Sequence, residues 1–423
     1  MRNRAYRAID VNDVKLSKVI QNREKQKVMV GVDVGKKQGF AVLRWENNDF
    51  ERPWKIEFPQ QIRRFVEVLQ ALQKTHSLQV AMEPTGTYGD PLRQALHNAA
   101  LGVQRVSPKA AHDHAETFDG VPSKHDGKDA AIVAELAAWG KASVWPFSIC
   151  EREQQLSYWV DRMDAQRRLL VVQFGRLEGL LARHWPEVSD VTALNSGALL
   201  QCLAAYGGPA AWAQSQADEE ALQQAARWTR GKWSVAKAQR FWDSARHSVG
   251  VRQTEIDLQR MQDLARQALS GRREIAACRR ELQQQSENQE VLSRQAAAVG
   301  ASTACVLWTH LGDPRNYDSG ASYRKAMGLN LKERSSGKYA GRLMITKRGH
   351  SQVRRWMYFA ALRLTRQHDV RTWVAAKRER SRGVGQAGKL AVVAVMRKLA
   401  LALYRVGVED QPLDPSRLFP GSR

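Results

Sequence analysis

Strand-like and helix-like patterns of apolar residues alternate over the first third of the chain. An apolar run at 28–34 and a second at 40–43 are separated by Gly35 and Gly39, which is typical of two strands joined by a turn. The same patterns predict further strands at 78–82 and 103–106 and helices at about 59–74, 89–99 and 129–139. A hairpin followed by strand–helix alternation predicts an α/β sheet.

Two later segments carry the heptad spacing of long packed helices. The first, 151–185, is interrupted once by Arg167, and its apolar positions are Leu156, Val160, Met163, Leu170, Phe174, Leu177 and Leu181. The second, 251–295, is weakened by Gly271, and its apolar positions are Met261, Leu264, Ala268, Ile275, Cys278 and Leu282. Such a pair predicts an antiparallel coiled-coil arm or a dimerising bundle. An ordinary helix pair inside one domain is the alternative.

The segments around these two helices are also mainly helical. In the insert at 190–250, four tryptophans are predicted to be core residues rather than platforms for stacked bases: Trp212, Trp228, Trp233 and Trp242. The region 296–408 begins with Val299 and Gly300, and a helix start of this kind can offer backbone N–H groups to a phosphate. A plain helix N-terminus is the alternative there.

These patterns divide the chain into five parts. We predict a basic, flexible or marginally helical arm at 1–27, an α/β domain at 28–150, a coiled-coil arm with its insert at 151–295, a mainly helical domain at 296–408 and a disordered tail at 409–423.

The charge of the chain narrows the class of partner. The formal net charge is +23 and the isoelectric point is about 10.2, which favours a polyanion, most simply nucleic acid, over an anionic membrane surface. We find neither an 18-residue apolar run nor a secretion signal and predict no membrane association. The four cysteines are far apart and form no CxxC pair, which fits a reducing cytoplasm and argues against a zinc module.

Four carboxylates in the predicted α/β domain are candidates for chemistry. Asp33 lies near the end of the first apolar run, Glu83 ends the strand at 78–82, and Asp126 and Asp129 share one face at the start of a helix. Any one of these carboxylates, taken alone, is more often a residue that caps a helix or turn, or a solvated side chain. Together, in a strongly basic chain, they predict a two-metal phosphoryl-transfer site for Mg²⁺ or Mn²⁺.

A basic stretch in the C-terminal region contains a pair of serines. From 332 to 355 there are eight Lys or Arg residues and one acid, Glu333. Ser335 and Ser336 lie within it, and neither has a His or Asp beside it that would activate its hydroxyl. Without further information, this sequence is typical of a phosphate-contacting turn. The residues predicted to contact phosphate or nucleic acid are Lys338, Arg342, Lys347, Arg348, Arg354 and Arg355.

The motifs around these residues resemble a known family. Those around the acids are Gly31-Val-Asp33, Met82-Glu83-Pro-Thr-Gly86 and Lys124-x-Asp126-x-x-Asp129. They look like the DEDD motifs of the transposases of the one-ten family of bacterial insertion sequences, and the Piv DNA invertases are similar. The C-terminal motifs, Met327-Gly-Leu-Asn, Ser335-Ser-Gly337, Ile345-Thr-Lys-Arg-Gly349 and Arg354-Arg355, resemble the second conserved domain of that family.

The resemblance implies a RuvC-like, RNase H-fold domain, a coiled-coil arm and a C-terminal transposase domain with a nucleophilic serine. The nucleophilic serine of the family corresponds to Ser336 in this chain, with Ser335 as the alternative. The resemblance also implies double-stranded donor and target DNA, a structured bridge RNA, and a dimer or tetramer in which the acids of one protomer meet the serine of another. A bacterial cytoplasmic, nucleoid-associated location follows.

We therefore predict a DNA recombinase that excises and inserts its element through a covalent phosphoserine–DNA intermediate. The first alternative is a junction-resolving nuclease in which the carboxylates activate water and Ser336 only contacts phosphate. The second is a non-enzymatic nucleic-acid-binding scaffold.

Overall fold

The structure is a computed structural model of the 423-residue chain. It describes residues 7–23, 26–120, 125–145, 147, 150–215, 217–336, 339–381 and 386–420, with the backbone alone at 334–336 and 339–342. The chain forms two compact units, residues 1–149 and 150–423.

The first unit is built on a seven-stranded mixed sheet. Its strands are β1 (Ile9–Asp10), β2 (Lys27–Val34), β3 (Gln38–Trp45), β4 (Trp54–Glu57), β5 (Ser77–Met82), β6 (Val103–Val106) and β7 (Ala142–Val144), in the spatial order β1-β4-β3-β2-β5-β6-β7. The hairpin β2–β3 is antiparallel, as is β3–β4, whereas β2, β5 and β6 run parallel. This confirms the predicted α/β class of the N-terminal domain.

Helices cover both faces of this sheet. They are α1 (Leu16–Val19), α2 (Ile62–Gln73), α3 (Asp90–Asn98), α4 (Pro108–Asp119) and α5 (Asp126–Ala138). Successive residues of a strand point to opposite faces, so Val30 and Val32 of β2 pack in the core with residues of α2 and α3. Met29 points the other way and packs with Ile132 and Ala134 of α5. The face of β2 that carries residues 29, 31 and 33 is therefore the face that α5 covers.

Helix α5 lies unusually close to β2 at Gly31. A Cβ atom on Gly31 would lie 2.1 Å from the carbonyl oxygen of Ala130 and 2.3 Å from the backbone nitrogen of Ala134. Both distances are far below van der Waals contact, so only glycine fits at this position. The close approach fixes where the first turn of α5 sits above the sheet.

The prediction of a flexible or marginally helical arm at 1–27 is wrong for the residues of that segment that the structure describes. Ile9–Asp10 adds a parallel strand beside β4, and the Val11 and Val14 side chains are buried in the core of the sheet. A two-residue edge strand carries no periodicity, so the sequence pattern missed it. The pattern also missed β4, α4 and β7, and it placed the start of α5 three residues too late.

The second unit is mainly helical. Its helices are α6 (Glu151–His184), α7 (Val188–Val191), α8 (Gly197–Tyr206), α9 (Pro209–Ser215), α10 (Asp218–Thr229), α11 (Val235–Arg246), α12 (Glu255–Glu287), α13 (Glu290–Val299), α14 (Ala301–Leu311), α15 (Gly320–Ala326), α16 (Ser351–Leu364), α17 (His368–Arg380), α18 (Ala387–Val408) and α19 (Pro415–Leu418). The antiparallel hairpin of β8 (Leu331–Ser336) and β9 (Tyr339–Ile345) was not predicted.

The two heptad segments form the long antiparallel pair α6 and α12. Arg162 Nε donates to Glu274 Oε2 over 3.1 Å, and the Gln173 and Gln267 side chains are hydrogen-bonded over 3.3 Å. Except for the half-buried Phe174, the predicted heptad residues of both helices are buried. At Gly271, a Cβ would lie 3.2 Å from Leu170 Cδ2, so the residue that weakens the pattern also lets the helices approach.

The predicted boundary at 295 between an arm and a C-terminal domain does not separate two domains. Leu282 of α12, Cys305 of α14 and Met357 of α16 belong to one buried cluster, and the Cys305 thiol donates to the carbonyl oxygen of Leu282. Heptad spacing reports which face of a helix is buried, but not whether its partner is one helix or many.

The four tryptophans of the insert are core residues, as predicted. Trp212 and Trp242 are buried, and Trp228 and Trp233 pack against the same cluster.

The prediction of a disordered tail at 409–423 is wrong for part of that segment. Residues 415–418 are helical, and the centroid of the buried Phe419 ring lies 5.2 Å from that of Trp373. A single aromatic residue, Phe419, anchors this segment. The Pro- and Asp-rich composition of the segment gave no sign of that contact.

In the part of the chain that the structure describes, we find no helix of the length and apolarity that a membrane span requires.

We predict that Gly31→Ala strongly destabilises the first unit, by about 3 kcal/mol or more, because the methyl group overlaps the backbone of α5. Calorimetric unfolding of the full chain measures this. Gly102→Ala is the matched control, since a Cβ there meets no atom within 4 Å. Equal stability of the two variants would show that α5 does not need this close approach.

Candidate active site

Asp33 lies on the α5 side of β2, next to the end of the strand. Residues 29, 31 and 33 share one face, and α5 covers that face. The Asp33 side chain is half-buried, and a buried carboxylate is costly unless something compensates its charge.

Glu83 follows β5, the parallel neighbour of β2. In the register of the two strands Val32 is opposite Met82, so Asp33 and Glu83 are the next residues on adjacent chains. As the sequence predicted, the strand ends before Pro84. The carboxyl ends of two parallel strands thus place both acids at one edge of the sheet.

Asp126 and Asp129 occupy the first turn of α5. Carboxylate oxygens of Asp33, Asp126 and Asp129 all lie within 4.8 Å of one another. The two helix acids therefore act as first-turn acids, which the helix dipole favours, and also converge with Asp33. The structure thus brings these three predicted site residues together.

The start of α5 is held by Lys128, which the sequence analysis did not single out. The Lys128 side chain is buried, and its Nζ donates to Asp119 Oδ1, at the end of α4, over 2.6 Å. Lys128 precedes the buried Ile132 by one helical turn, and this position on an apolar stripe was the signal that it is buried. The pair anchors the turn that carries the two acids.

Electrostatics reflect this crowding of acids. The pKa of the Asp33 carboxyl is raised from 3.8 to about 6, chiefly by burial and further by the charges of Asp129, Asp126 and Glu83. Three nearby carboxylates all disfavour the ionised form of Asp33. A divalent cation would reverse that balance, because it favours the ionised form of every acid around it.

The acids line a cavity of about 580 Å³ in the first unit. Asp33, Glu83, Asp126 and Asp129 contribute to its wall, and so do His112 and Glu116 of α4. The last two were missed because α4 was not predicted at all. Since its oxygen donors are carboxylates, the site fits a hard divalent ion such as Mg²⁺ or Mn²⁺.

The predicted serines lie in the second unit. Ser335 and Ser336 are the last two residues of β8, and their side chains lie outside the described part of the structure. Lys338 and the Arg342 side chain also lie outside it.

The remaining predicted basic residues follow the hairpin. Lys347 and Arg348 are exposed. Arg354 donates from Nη1 to the carbonyl oxygen of Gly349 over 2.7 Å, and Arg355 lies 3.7 Å from the Asp164 carboxylate of α6. Arg354 and Arg355 therefore also have contacts inside the second unit.

Two of the C-terminal motifs, Met327-Gly-Leu-Asn and Ile345-Thr-Lys-Arg-Gly349, meet at the base of the β8–β9 hairpin. The Lys347 amide donates to the carbonyl oxygen of Gly328 over 3.1 Å, and the Thr346 amide donates to that of Asn330 over 2.7 Å. A Cβ on Gly349 would lie 2.3 Å from the carbonyl oxygen of Ala326. The glycines of these motifs thus let two backbone segments cross at the hairpin base.

Comparison with family models decides the assignment. The DEDD transposase model of the IS110 group matches residues 30–184, which contain all four acids. The model described as transposase of the IS116/IS110/IS902 family matches residues 293–377, which contain both serines. Together they cover more than half of the chain. The chain belongs to the IS110 family of DEDD transposases.

The IS110-family chain is therefore an enzyme of DNA transposition and recombination, and the alternative of a non-enzymatic scaffold is wrong. A search of curated proteins found no match.

Among solved structures, two of Thermus thermophilus RuvC are similar to the transposase, one of them in complex with a Holliday junction substrate. The sequence identity to this chain is 14% for the Holliday junction complex, with a TM-score of 0.23, and 16% for the other RuvC structure, with a TM-score of 0.21. Each match covers 28% of this chain and 99% of the RuvC chain.

We predict that Asp33→Asn stabilises the metal-free transposase. The ordinary pKa of an aspartate carboxyl is 3.8, whereas the pKa of Asp33 in the folded chain is about 6, so the folded state holds a proton that the unfolded state has released. Metal-free stability therefore falls as the pH rises from about 4 to 6, and the loss is complete above that range. Asparagine does not ionise, so the variant regains about 3 kcal/mol at pH 7.5.

Melting temperatures in EDTA at pH 5 and pH 7.5 measure this effect, and Asp113→Asn, an exposed acid of α4, is the control. Added Mg²⁺ should raise the melting temperature of the wild type but not that of Asp33→Asn. A variant less stable than the wild type in EDTA at pH 7.5 would contradict the prediction.

Proposed function

We propose that this transposase excises and inserts its DNA element through a covalent phosphoserine–DNA intermediate, with divalent ions held by Asp33, Glu83, Asp126 and Asp129. The observation that carries the proposal is the convergence of carboxylate oxygens of Asp33, Asp126 and Asp129 within 4.8 Å, in a chain that matches both transposase models.

The carboxylates would hold Mg²⁺ or Mn²⁺ through oxygen ligands. When bound, such an ion stabilises negative charge on the phosphate oxygens during transfer. The chain's own residues prepare this site: Gly31 lets α5 approach the sheet, Lys128 anchors the first turn of α5, and burial makes Asp33 sensitive to added positive charge.

The nucleophile in this proposal is the hydroxyl of Ser336, with Ser335 as the alternative. The serine oxygen forms a bond to phosphorus while the bond from phosphorus to the leaving deoxyribose oxygen breaks. The serine proton passes to solvent, and the leaving oxygen takes up a proton. Rejoining reverses these steps, so the bond energy is conserved and no further reactant is needed.

Basic residues near the serines would stabilise the phosphate charge and hold the DNA. We assign Lys338, Arg342 and Lys347 to the reacting phosphate, and Arg348, Arg354 and Arg355 to the nucleic-acid backbone. Fixed cations lower the energy of a transition state in which negative charge accumulates on phosphate oxygens.

We also propose a dimer or tetramer with composite sites, in which acids of one protomer serve the serine of another. The acids belong to the first unit and the serines to the second, which suits such sharing. The partners would be double-stranded donor and target DNA and a structured bridge RNA, in the bacterial cytoplasm at the nucleoid. The net charge of +23 supports binding of both nucleic acids.

A metal-dependent nuclease is the second candidate. One observation favours it: the acidic cluster forms entirely from residues of the first unit, so it needs no serine to bind ions. In that mechanism the carboxylates activate water, and no covalent adduct forms.

We predict that Ser336→Ala abolishes the formation of a protein–DNA adduct that survives denaturation, because the attacking oxygen is gone. The assay uses DNA carrying the ends of the element, with Mg²⁺ and the RNA transcribed from its flank. Ser335→Ala is the matched control and should keep the adduct. Asp129→Asn should lower cleavage by roughly a hundredfold or more, as removal of a catalytic charge does.

The outcomes separate the mechanisms. Loss of the adduct only in Ser335→Ala would make Ser335 the nucleophile. Unchanged cleavage by a variant that carries both Ser335→Ala and Ser336→Ala, with no adduct in any sample, would establish the nuclease.

We predict that RNA from the non-coding sequence flanking the reading frame copurifies with the transposase, because a guide must be bound before DNA is selected. Sequencing of the bound RNA after expression with the native flank measures this. A scrambled flank of equal length is the control. Equal recovery of both RNAs would contradict the bridge-RNA proposal.

A further inference from the structure

The second unit contains a basic cavity away from the hairpin. It has a volume of about 510 Å³ and is lined by residues of α6, α12, α14 and α16. Three arginines reach it, namely Arg167, Arg279 and Arg363, and none of the described residues that line it is acidic. We call this site the arginine cavity.

Arg167 is the residue that interrupts the heptad pattern of α6. Its guanidinium lies 4.4 Å from the ring centroid of the buried Trp356. Its pKa is lowered by burial and by the neighbouring charges of Arg279 and Arg355, which the single carboxylate of Asp164 only partly offsets. A cation held in a half-buried position beside two others calls for an anion.

Arg363 lies at the amino end of α14. Its Nη2 donates to the carbonyl oxygen of Val299 over 2.6 Å and to Thr303 Oγ1 over 3.1 Å. No side chain among the described residues caps this helix, and Gly300, Ala301 and Ser302 line the cavity. The helix dipole thus adds positive potential to that of the guanidinium groups.

We propose that the arginine cavity binds a backbone phosphate of nucleic acid. Three arginines line this cavity, and none of its described lining residues is acidic. The planar guanidinium group of arginine matches the geometry of phosphate oxygens. Arg279 and Arg363 are exposed enough for a nucleic-acid strand to reach them. The proposal rests on the nucleic-acid function proposed above but not on its cleavage chemistry. Binding is therefore measured in EDTA, where a failure of the cleavage mechanism has no effect.

The experiment compares Arg279→Gln with Arg280→Gln in the full chain. Both arginines are exposed and adjacent on α12, but only Arg279 lines the cavity. The two variants lose the same charge, so any difference between them reports the cavity. Anisotropy with a labelled DNA duplex and a labelled single-stranded RNA, each at several KCl concentrations, gives the affinity and its salt dependence.

We expect Arg279→Gln to bind at least one of the two probes roughly tenfold more weakly than Arg280→Gln, as loss of a charged hydrogen bond implies. The slope of log affinity against log salt concentration should also decrease in magnitude by about one, which corresponds to the loss of one phosphate contact. The probe that responds identifies the strand. Ser302→Glu should weaken binding of the same probe, although an acid in the first turn of α14 favours that helix.

Two results would overturn the proposal. One is equal affinity and equal salt slope of Arg279→Gln and Arg280→Gln for both probes. The other is thermal stabilisation of the wild type by inorganic phosphate, lost in Arg279→Gln while binding of both probes is unchanged. That result would assign the cavity to a free anion. Melting curves of each variant without ligand show that it is folded.

Discussion

The contact between helix α5 and strand β2 at Gly31 is the constraint on which the acidic site depends. Because no side chain separates the two backbones there, the first turn of α5 descends to the edge of the sheet where Asp33 emerges. The apolar packing of Met29 and Ala134 holds the helix in place. That packing must offset the mutual repulsion of three carboxylates, so the site is a local loss of stability tolerated for function.

The second unit uses the same principle at a different place. Two of its C-terminal motifs meet at the base of a short hairpin, where Gly328 and Gly349 allow two backbone segments to cross. Arg354 closes this crossing by a hydrogen bond to Gly349.

Each unit concentrates charge of one sign. The first gathers carboxylates around Asp33, and the second gathers guanidinium groups around Trp356. Like charges held close together repel each other, so the first arrangement favours a bound cation and the second a bound anion. A nucleic acid with bound metal ions would supply both charges.

The sequence by itself determined the family, the α/β class of the first unit and the buried faces of α6 and α12, and it singled out four acids that line one cavity. It could do so because motif order and apolar periodicity are local properties. Only the tertiary structure decided which elements meet. It placed the N-terminal segment and Phe419 in cores, merged the helix pair with the C-terminal region, and brought Arg167 to a cavity. These outcomes depend on contacts between residues distant in sequence, and a single aromatic residue or a two-residue strand leaves no periodic trace of such contacts.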